Sequence, residues 1–309
     1  MQGRPRLEPA AASFSSLPAG LVQEILSHLS LKEQGRAACV SKLCASAVLP
    51  LALAHFVTAG DVPAVRRLLQ KPGAALGLDY PLCELGRTPL QTAVAQDNLV
   101  IFIALLKAGA ALEARSLGGA TALMMATAWG RASLVVALLA AGAALEAEFA
   151  NDGSRALHCA AENGQTLAVE VLLVAGAALE AEDKDSSQAL HCAAYNGLAS
   201  TVEALLAAGA ALEAETRAGH QPLHLAAWNG QASAVEALLA AGAALEAKDK
   251  DSWRALHLAA DSGHASTVEA LLAAGADLAA ATKAGETALQ LAESCGHSGA
   301  AEVLRAAGR

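Results

Sequence analysis

Four histidines recur at a constant spacing, and their chemistry is the first to need an explanation. His158, His191, His224 and His257 follow one another at equal intervals along the chain, and imidazole is a common zinc ligand. That spacing puts each histidine in a separate structural unit. Packed helices lie about 8–10 Å apart, whereas zinc holds its ligands at about 2 Å. The pattern therefore favours hydrogen bonds between neighbouring units over a shared metal ion.

The other reactive side chains form no catalytic pattern. No glycine is followed by lysine, which excludes a Walker A loop, and the sequence H-E-x-x-H does not occur. The segment 296–300 resembles a serine-nucleophile turn but ends in alanine instead of the second glycine. The carboxylates recur with the repeat and do not form an isolated acid–base pair. We therefore expect no enzyme activity, no cofactor and no metal.

The composition narrows the class of protein. The 309 residues are 54% hydrophobic but only 3% aromatic, and the net charge is −9. An acidic chain without a basic face disfavours nucleic acid as a partner, and its uncharged stretches are shorter than the roughly 18 residues that span a membrane. The first residues show no apolar signal segment, and the six cysteines form no C-x-x-C pair. We expect reduced thiols and a cytoplasmic or nuclear location.

A repeat of about 33 residues organises most of the chain. Thr88-Pro89-Leu90 begins it, and residues 219–247 give its fullest form. The pattern resembles the ankyrin repeat, which implies a mainly α solenoid of about seven to eight helix-turn-helix repeats with hairpin loops. We predict a divergent first repeat and longer loop at 50–86 and seven repeats at 87–309. The equivalent positions are 121–123, 155–157, 188–190, 221–223, 254–256 and 287–289.

Each repeat can be interpreted physically. Pro222 suits a first helical turn, residues 223–227 place leucine and alanine on one helical face, and Gly230 suits a left-handed cap. The last repeat is truncated, and Arg305 stands where the preceding repeat has Leu272. This substitution indicates a capping repeat with a polar outer face.

The resemblance also implies a role for the histidines. In ankyrin repeats this histidine bonds loops of adjacent layers, and a threonine three residues earlier is its usual partner. Arginine or glutamine replaces the threonine in the four histidine repeats, which puts that bond in doubt there. The replacing residues are Arg155, Gln188, Gln221 and Arg254.

Residues 14–49 follow a different pattern, and we predict a flexible N-terminus at 1–13 before them. Serine and proline mark a helix start, and leucines and isoleucine follow at steps of four. With Val40-Ser41-Lys42 farther on, this segment resembles the F-box, although Leu43 and Cys44 stand where that family usually has tryptophan. The resemblance implies docking onto the Skp-type adaptor of a cullin–RING ubiquitin ligase. The docking residues would be Leu17, Pro18, Leu21, Ile25 and Leu29. The alternative is a helical cap on the first ankyrin layer.

The positions that vary between repeats indicate where a partner binds. In the ankyrin family, the hairpin tips and the two positions after the Ala-Ala pair line the concave surface. Two of the three tryptophans and one of the two tyrosines fall there, and such rings dominate interface energies. Packing on a neighbouring layer is the alternative for each ring. The predicted partner-binding residues are Glu162, Tyr195, His220, Trp228, Trp253 and Asp261.

Together these patterns predict a non-catalytic substrate receptor of an SCF-type ubiquitin ligase. The F-box would hold the adaptor and the repeats an unknown target protein. The alternative is an ankyrin scaffold or inhibitor that binds one partner without a link to ubiquitin. The acidic residues near the hairpins (Glu146, Glu148, Glu180, Glu182, Glu213, Glu215 and Glu246) are interpreted as a solvated edge.

Overall fold

The computed structural model describes residues 52–70, 78–79, 81 and 86–309. Within these ranges the chain is helical, and its extended segments form a single isolated bridge between Ala281 and Thr287. The predicted N-terminal module and its five docking residues lie outside the described ranges, as does most of the loop predicted to follow the first repeat. The mainly α prediction is confirmed.

The helices alternate between a short first helix and a longer second helix in each repeat. Residues 52–58 are helical and are called α1. The other helices are α2 Val62–Leu69, α3 Pro89–Ala95, α4 Leu99–Lys107, α5 Ala122–Ala128, α6 Ala132–Ala140, α7 Ala156–Glu162, α8 Thr166–Val174, α9 Ala189–Tyr195, α10 Ala199–Ala207, α11 Pro222–Trp228, α12 Ala232–Ala240, α13 Ala255–Asp261, α14 Ala265–Ala273, α15 Ala288–Ser294 and α16 Ser298–Ala307.

Stacking of these pairs produces one continuous core. From α3 onward, first helices pack on the first helices of neighbouring repeats, and from α6 onward second helices pack on second helices. In the repeat of α11 and α12, Leu223, Ala226, Ala227, Val235 and Leu238 are all buried, as the helical spacing predicts. Alanine lets the backbones approach closely while leucine fills the space between layers. A single pair cannot bury this face alone, so each repeat depends on its neighbours.

Glycine ends the first helix of each full repeat except that of α3, where Asp97 takes the same left-handed conformation with a φ of +55°. In the α11 repeat, Asn229 is the C-cap residue and Gly230 has a φ of +73°, as predicted. A Cβ at this glycine would lie 2.5 Å from Nδ1 of His264 in the next repeat. Both the left-handed conformation and the close neighbour therefore require glycine here.

The last repeat presents charged groups at its outer side. Arg305 on α16 is exposed, and its Nη2 lies 2.6 Å from Oε1 of Glu293 on α15. A surface ion pair of this kind contributes little to stability, but it keeps the end of the stack hydrated. The position that is leucine in the preceding repeat is thus a polar cap, as predicted.

Candidate functional site

The repeated histidines join neighbouring layers. In the α11 repeat, the Nδ1 atom of His224 accepts a hydrogen bond from the backbone N–H of Gln221 at 3.1 Å. Its Nε2 is 3.0 Å from the carbonyl oxygen of Ala247 in the next hairpin. Because a carbonyl accepts only, the proton of the neutral ring is on Nε2. His191 and His257 make the same pair of contacts, and His158 differs only in that its Nε2 faces the carbonyl oxygen of Ser187 at the tip of the next hairpin.

The residues that replace threonine act through their backbones. The side chains of Arg155, Gln188, Gln221 and Arg254 make no cap hydrogen bond, so the doubt about the threonine–histidine bond is confirmed for these four layers. The two arginines pair with acidic side chains instead. Arg254 Nη1 lies 2.8 Å from Glu246, and Arg155 Nη2 lies 3.0 Å from Glu148.

Burial sets the protonation of the buried side chains. Desolvation lowers the pKa of each of the four histidines below 6.5, against the opposing effect of their backbone acceptors. Desolvation also raises the pKa of Cys159 and of Cys192 to about 12. These imidazoles are neutral at pH 7 and these thiols are protonated, so both are structural groups and not reactive ones.

Glutamates near the hairpins form a second set of links between layers. Oε1 of Glu213 accepts a hydrogen bond from the backbone N–H of Ala244 in the next repeat at 2.8 Å. The sequence alone identified these glutamates as a solvated edge. The structure adds an inter-layer bond to several of them, because their carboxylates cap backbone groups about one repeat away. The equivalent pairs are Glu113–Ala144, Glu146–Ala178, Glu180–Ala211 and Glu246–Asp277.

Two rows of residues line the face where partner-binding residues were predicted. The variable row comprises Glu162, Tyr195, Trp228 and Asp261, which end the first helices of four successive repeats. The tip row comprises Ser154, Ser187, His220 and Trp253, which end the preceding hairpins. The structure thus places all six predicted residues in these two adjacent rows.

The variable row is accessible in its centre. Tyr195 is 42% exposed and Trp228 is 46% exposed, and Glu162 is also exposed. Asp261 is half-buried, and its Oδ1 is 3.4 Å from the Sγ of Cys295. Large exposed rings in a protein so poor in aromatic residues are the strongest sign of a contact surface.

The tip row is partly occupied by internal contacts. His220 is half-buried, with its Nε2 3.3 Å from Oδ2 of Asp249 and its ring edge-to-face with Trp228 at 5.7 Å. Trp253 is also half-buried and its ring centre is 6.4 Å from that of His257. The alternative of packing on the neighbouring layer therefore applies more to Trp253 than to Tyr195 or Trp228.

Some residues of this face were missed from the sequence. The guanidinium carbon of Arg87, at the tip position of an earlier repeat, lies 5.3 Å from the ring centre of Trp129. Trp129 is 37% exposed. Trp129 is the C-cap residue of the first helix α5, at the position of Asn163 in the next repeat. Its place directly after a first helix could have identified it from the sequence. Asp249 was also missed, because no spacing rule links it to His220.

A cleft of about 240 Å³ opens between these rows. Glu162 and Asp183 line one part of it, and Tyr195, Ser187 and Leu225 line the rest. Its wall therefore combines two carboxylates with an aromatic ring. Across the described parts of the chain, no cluster of three or more histidine, cysteine or acidic side chains has metal-binding geometry. No helix among them is long and apolar enough to cross a membrane.

Comparison with protein-family models identifies both modules. The model described as "Ankyrin repeats (3 copies)" matches residues 113–183, 157–249 and 223–308. The model described as "F-box domain" matches residues 14–53. The ankyrin matches cover well over half of the chain, so this protein belongs to the ankyrin-repeat family.

More specifically, it is an F-box protein with C-terminal ankyrin repeats. A comparison with curated proteins finds no match. An F-box and ankyrin repeats are modules of protein interaction, and their combination fits the general role of a substrate receptor of SCF-type ubiquitin ligases.

Proposed function

We propose that this protein is the substrate receptor of an SCF-type cullin–RING ubiquitin ligase. The observation that carries the proposal is the F-box match at residues 14–53, which reaches the helical stack described from residue 52 onward. One chain would then join an adaptor-binding module to a protein-binding surface. Catalysis would belong to other subunits.

The adaptor would dock on the apolar stripe of the F-box segment. Leu17, Pro18, Leu21, Ile25 and Leu29 have the spacing of that family's docking residues and lie within the matched range. Apolar side chains at steps of four form one helical face. A small module cannot bury such a face alone, so the adaptor would supply its complement.

The target protein would be held by the variable row and the tip row. Tyr195 and Trp228 belong to neighbouring helices, and the Asn229 side-chain amide donates to the carbonyl oxygen of Tyr195 at 2.8 Å. The two rings thus present a fixed pair of anchors, which lowers the entropy lost on binding. Holding a target near the transfer centre raises its effective concentration there, and this is the receptor's contribution to the reaction.

Adaptor binding is tested by retention of purified Skp-type adaptor on the immobilised full chain. We expect the wild type to retain the adaptor and the double variant Leu17→Ala/Pro18→Ala to lose it. Trp228→Ala is the matched control, because it changes the other module and should retain the adaptor fully. A wild type that retains no adaptor would leave the ankyrin scaffold or inhibitor as the function.

Target binding is tested by quantitative affinity purification from cells. Proteins that depend on Tyr195 and Trp228 are defined by comparing the wild type with Tyr195→Ala/Trp228→Ala. We expect at least one such protein to accumulate when Leu17→Ala/Pro18→Ala replaces the wild type in cells, because it is captured but no longer ubiquitinated. If every protein captured through the two rings keeps an unchanged half-life, the scaffold is the better description.

A further inference from the structure

The size of the side chain at the tip position varies along the stack, and the cleft opens where that side chain is short. The tip position holds Arg87 in an early repeat and His220 in a later one, and each side chain lies against a tryptophan. Between them the same position holds Ala120, Ser154 and Ser187, whose side chains are short. The cleft is lined by the last of these, Ser187.

The His220 layer shows what the face accommodates. Asp249 uses Oδ1 to accept the backbone N–H groups of Asp251 and Trp253. Its Oδ2 faces Nε2 of His220 at 3.3 Å. Trp228 closes the other side, with its ring 5.7 Å from the imidazole. A nitrogen-bearing planar side chain is thus held between a carboxylate and an aromatic ring.

The Ser154 layer repeats this geometry without the planar side chain. Asp183 is the equivalent of Asp249 two layers earlier, and its Oδ1 likewise accepts the N–H groups of Asp185 and Ser187 at 2.8 Å. In the same way, Ser154 is the equivalent of His220, and Glu162 is the equivalent of Trp228. The His220 imidazole lies between Asp249 and Trp228. The equivalent space in the Ser154 layer is therefore bordered by the carboxylates of Asp183 and Glu162.

We propose that the cleft between Glu162, Asp183 and Tyr195 binds an arginine side chain of the target protein. The proposal rests on the proposed function insofar as this face is the one that holds the target. A guanidinium is planar like the imidazole of His220. It also carries the charge that two carboxylates favour, pairs with them in a forked geometry and stacks on a phenol ring. Arg87 on Trp129 is an internal precedent for a guanidinium against a ring of this face.

The net charge of −9 supports the same partner chemistry. An acidic protein attracts a basic segment at long range. The cleft then supplies the short-range selection for arginine, because a lysine ammonium cannot fork between the oxygens or stack as a plane. The recognised element is thus an arginine-containing segment with an apolar neighbour for the exposed ring of Trp228.

The test uses random dodecapeptides displayed on phage and selected on the immobilised full chain. Fluorescence polarisation then measures the affinity of the consensus peptide. We expect arginine to be enriched at one position, and its replacement by lysine to weaken binding about tenfold. Selected peptides without a conserved arginine, or equal affinity for the lysine peptide, would overturn the proposal.

Matched variants locate the peptide. Glu162→Gln/Asp183→Asn removes both charges but keeps a side-chain oxygen at residue 183 for its two backbone N–H groups, so the fold is retained. We expect a loss of about tenfold or more in affinity. Ser187→His, which fills the cleft from inside, should weaken binding similarly although both carboxylates remain. Asp185→Asn removes a nearby charge outside the cleft and should stay within about twofold.

Unchanged affinity in Glu162→Gln/Asp183→Asn, with an unchanged melting temperature, would overturn the site. Retention of the Skp-type adaptor by the same variants is measured in parallel and should equal that of the wild type. If a variant loses peptide binding but retains the adaptor normally, the substitution has affected the cleft and not the adaptor-binding module. Failure of the wild type to retain adaptor concerns the ligase function alone, because peptide binding is measured without the adaptor.

Discussion

The histidine contacts between layers, called joints here, and the variable row both occupy positions that recur in every repeat. The residue type is the same in four layers at the joints, whereas it differs from repeat to repeat in the variable row. At the joints, each of four histidines accepts a hydrogen bond from a backbone N–H of its own repeat and faces a backbone carbonyl of the next repeat: His158, His191, His224 and His257. In the variable row, the corresponding four repeats carry an acid, a phenol, an indole and an acid. Stacking constrains the first set, because every layer must fit the next. The second set is free of that constraint and is available for a partner.

The difference also separates two kinds of consequence. A change at a joint should alter the stability of the stack, because the groups involved are buried and hydrogen-bonded. A change in the variable row should alter binding and leave the stack almost as stable as before. The following predictions test this separation.

The largest expected effect is at the packed centre of a layer. Leu238 is completely buried, so Leu238→Ala should lower the free energy of unfolding by about 2–5 kcal/mol. Leu167→Ala is the control, because Leu167 is 68% exposed and its loss should cost under about 0.5 kcal/mol. Chemical denaturation measures both, and equal losses would contradict the packing described here.

A joint histidine should have the next largest effect. His224→Ala leaves the N–H of Gln221 and the carbonyl of Ala247 without their partner, and we expect a loss of about 2–3 kcal/mol. His224→Gln should lose less than half of this. In the first full repeat, Gln91 makes the equivalent two hydrogen bonds. Its Oε1 accepts from the backbone N–H of Thr88, and its Nε2 donates to the carbonyl oxygen of Ala114.

Comparing His224→Gln with His224→Ala by chemical denaturation therefore isolates the hydrogen bonds from the ring volume. Equal losses in the two variants would mean that the histidine contributes by packing only.

Acid should weaken the joints. The pKa of His224 is lowered by burial, so the unfolded chain takes up its proton first as the pH falls below the ordinary value of 6.5. The stability due to the neutral ring is present above pH 6.5 and is lost below it. Each of the four joint histidines should contribute to this loss of stability, because burial lowers the pKa of all four. Thermal unfolding of His224→Gln should therefore depend less on pH than that of the wild type, and equal dependence would contradict the assignment.

The smallest change in stability should come from the exposed rings. Trp228→Ala should lower the free energy of unfolding by no more than about 1 kcal/mol, because nearly half of the residue is exposed and its ring packs edge-to-face on His220. Trp253→Ala should cost more, since Trp253 is half-buried beside His257. Thermal unfolding of the two variants ranks the rings as partner-binding or packing residues. A larger loss in Trp228→Ala would reverse that ranking.

Much of the stack could be predicted from the sequence. The period gave the number of layers, Pro222 and Gly230 gave the helix ends, and Arg305 gave the polar cap. The hydrogen bonds of the histidines between neighbouring layers were predicted as well, because their spacing puts each histidine in a separate layer.

The lateral contacts could not be predicted in the same way. The pairing of His220 with Asp249 and of Arg87 with Trp129 depends on which side chains of adjacent layers meet. The repeat period does not determine which positions of two neighbouring repeats come into contact. The cleft opens beside Ser187, whose short side chain leaves the tip position open. It is visible only once the tips are seen to be filled in other layers. The docking residues from Leu17 to Leu29 lie outside the described residues and stay a prediction.

The most direct test of the two-module account is amide hydrogen exchange of the full chain with and without the purified Skp-type adaptor. The account predicts slower exchange within residues 14–53 and unchanged exchange in α9 and α11, which carry Tyr195 and Trp228. Slower exchange at α9 and α11, with residues 14–53 unaffected, would show that the adaptor occupies the proposed target surface and would contradict the account.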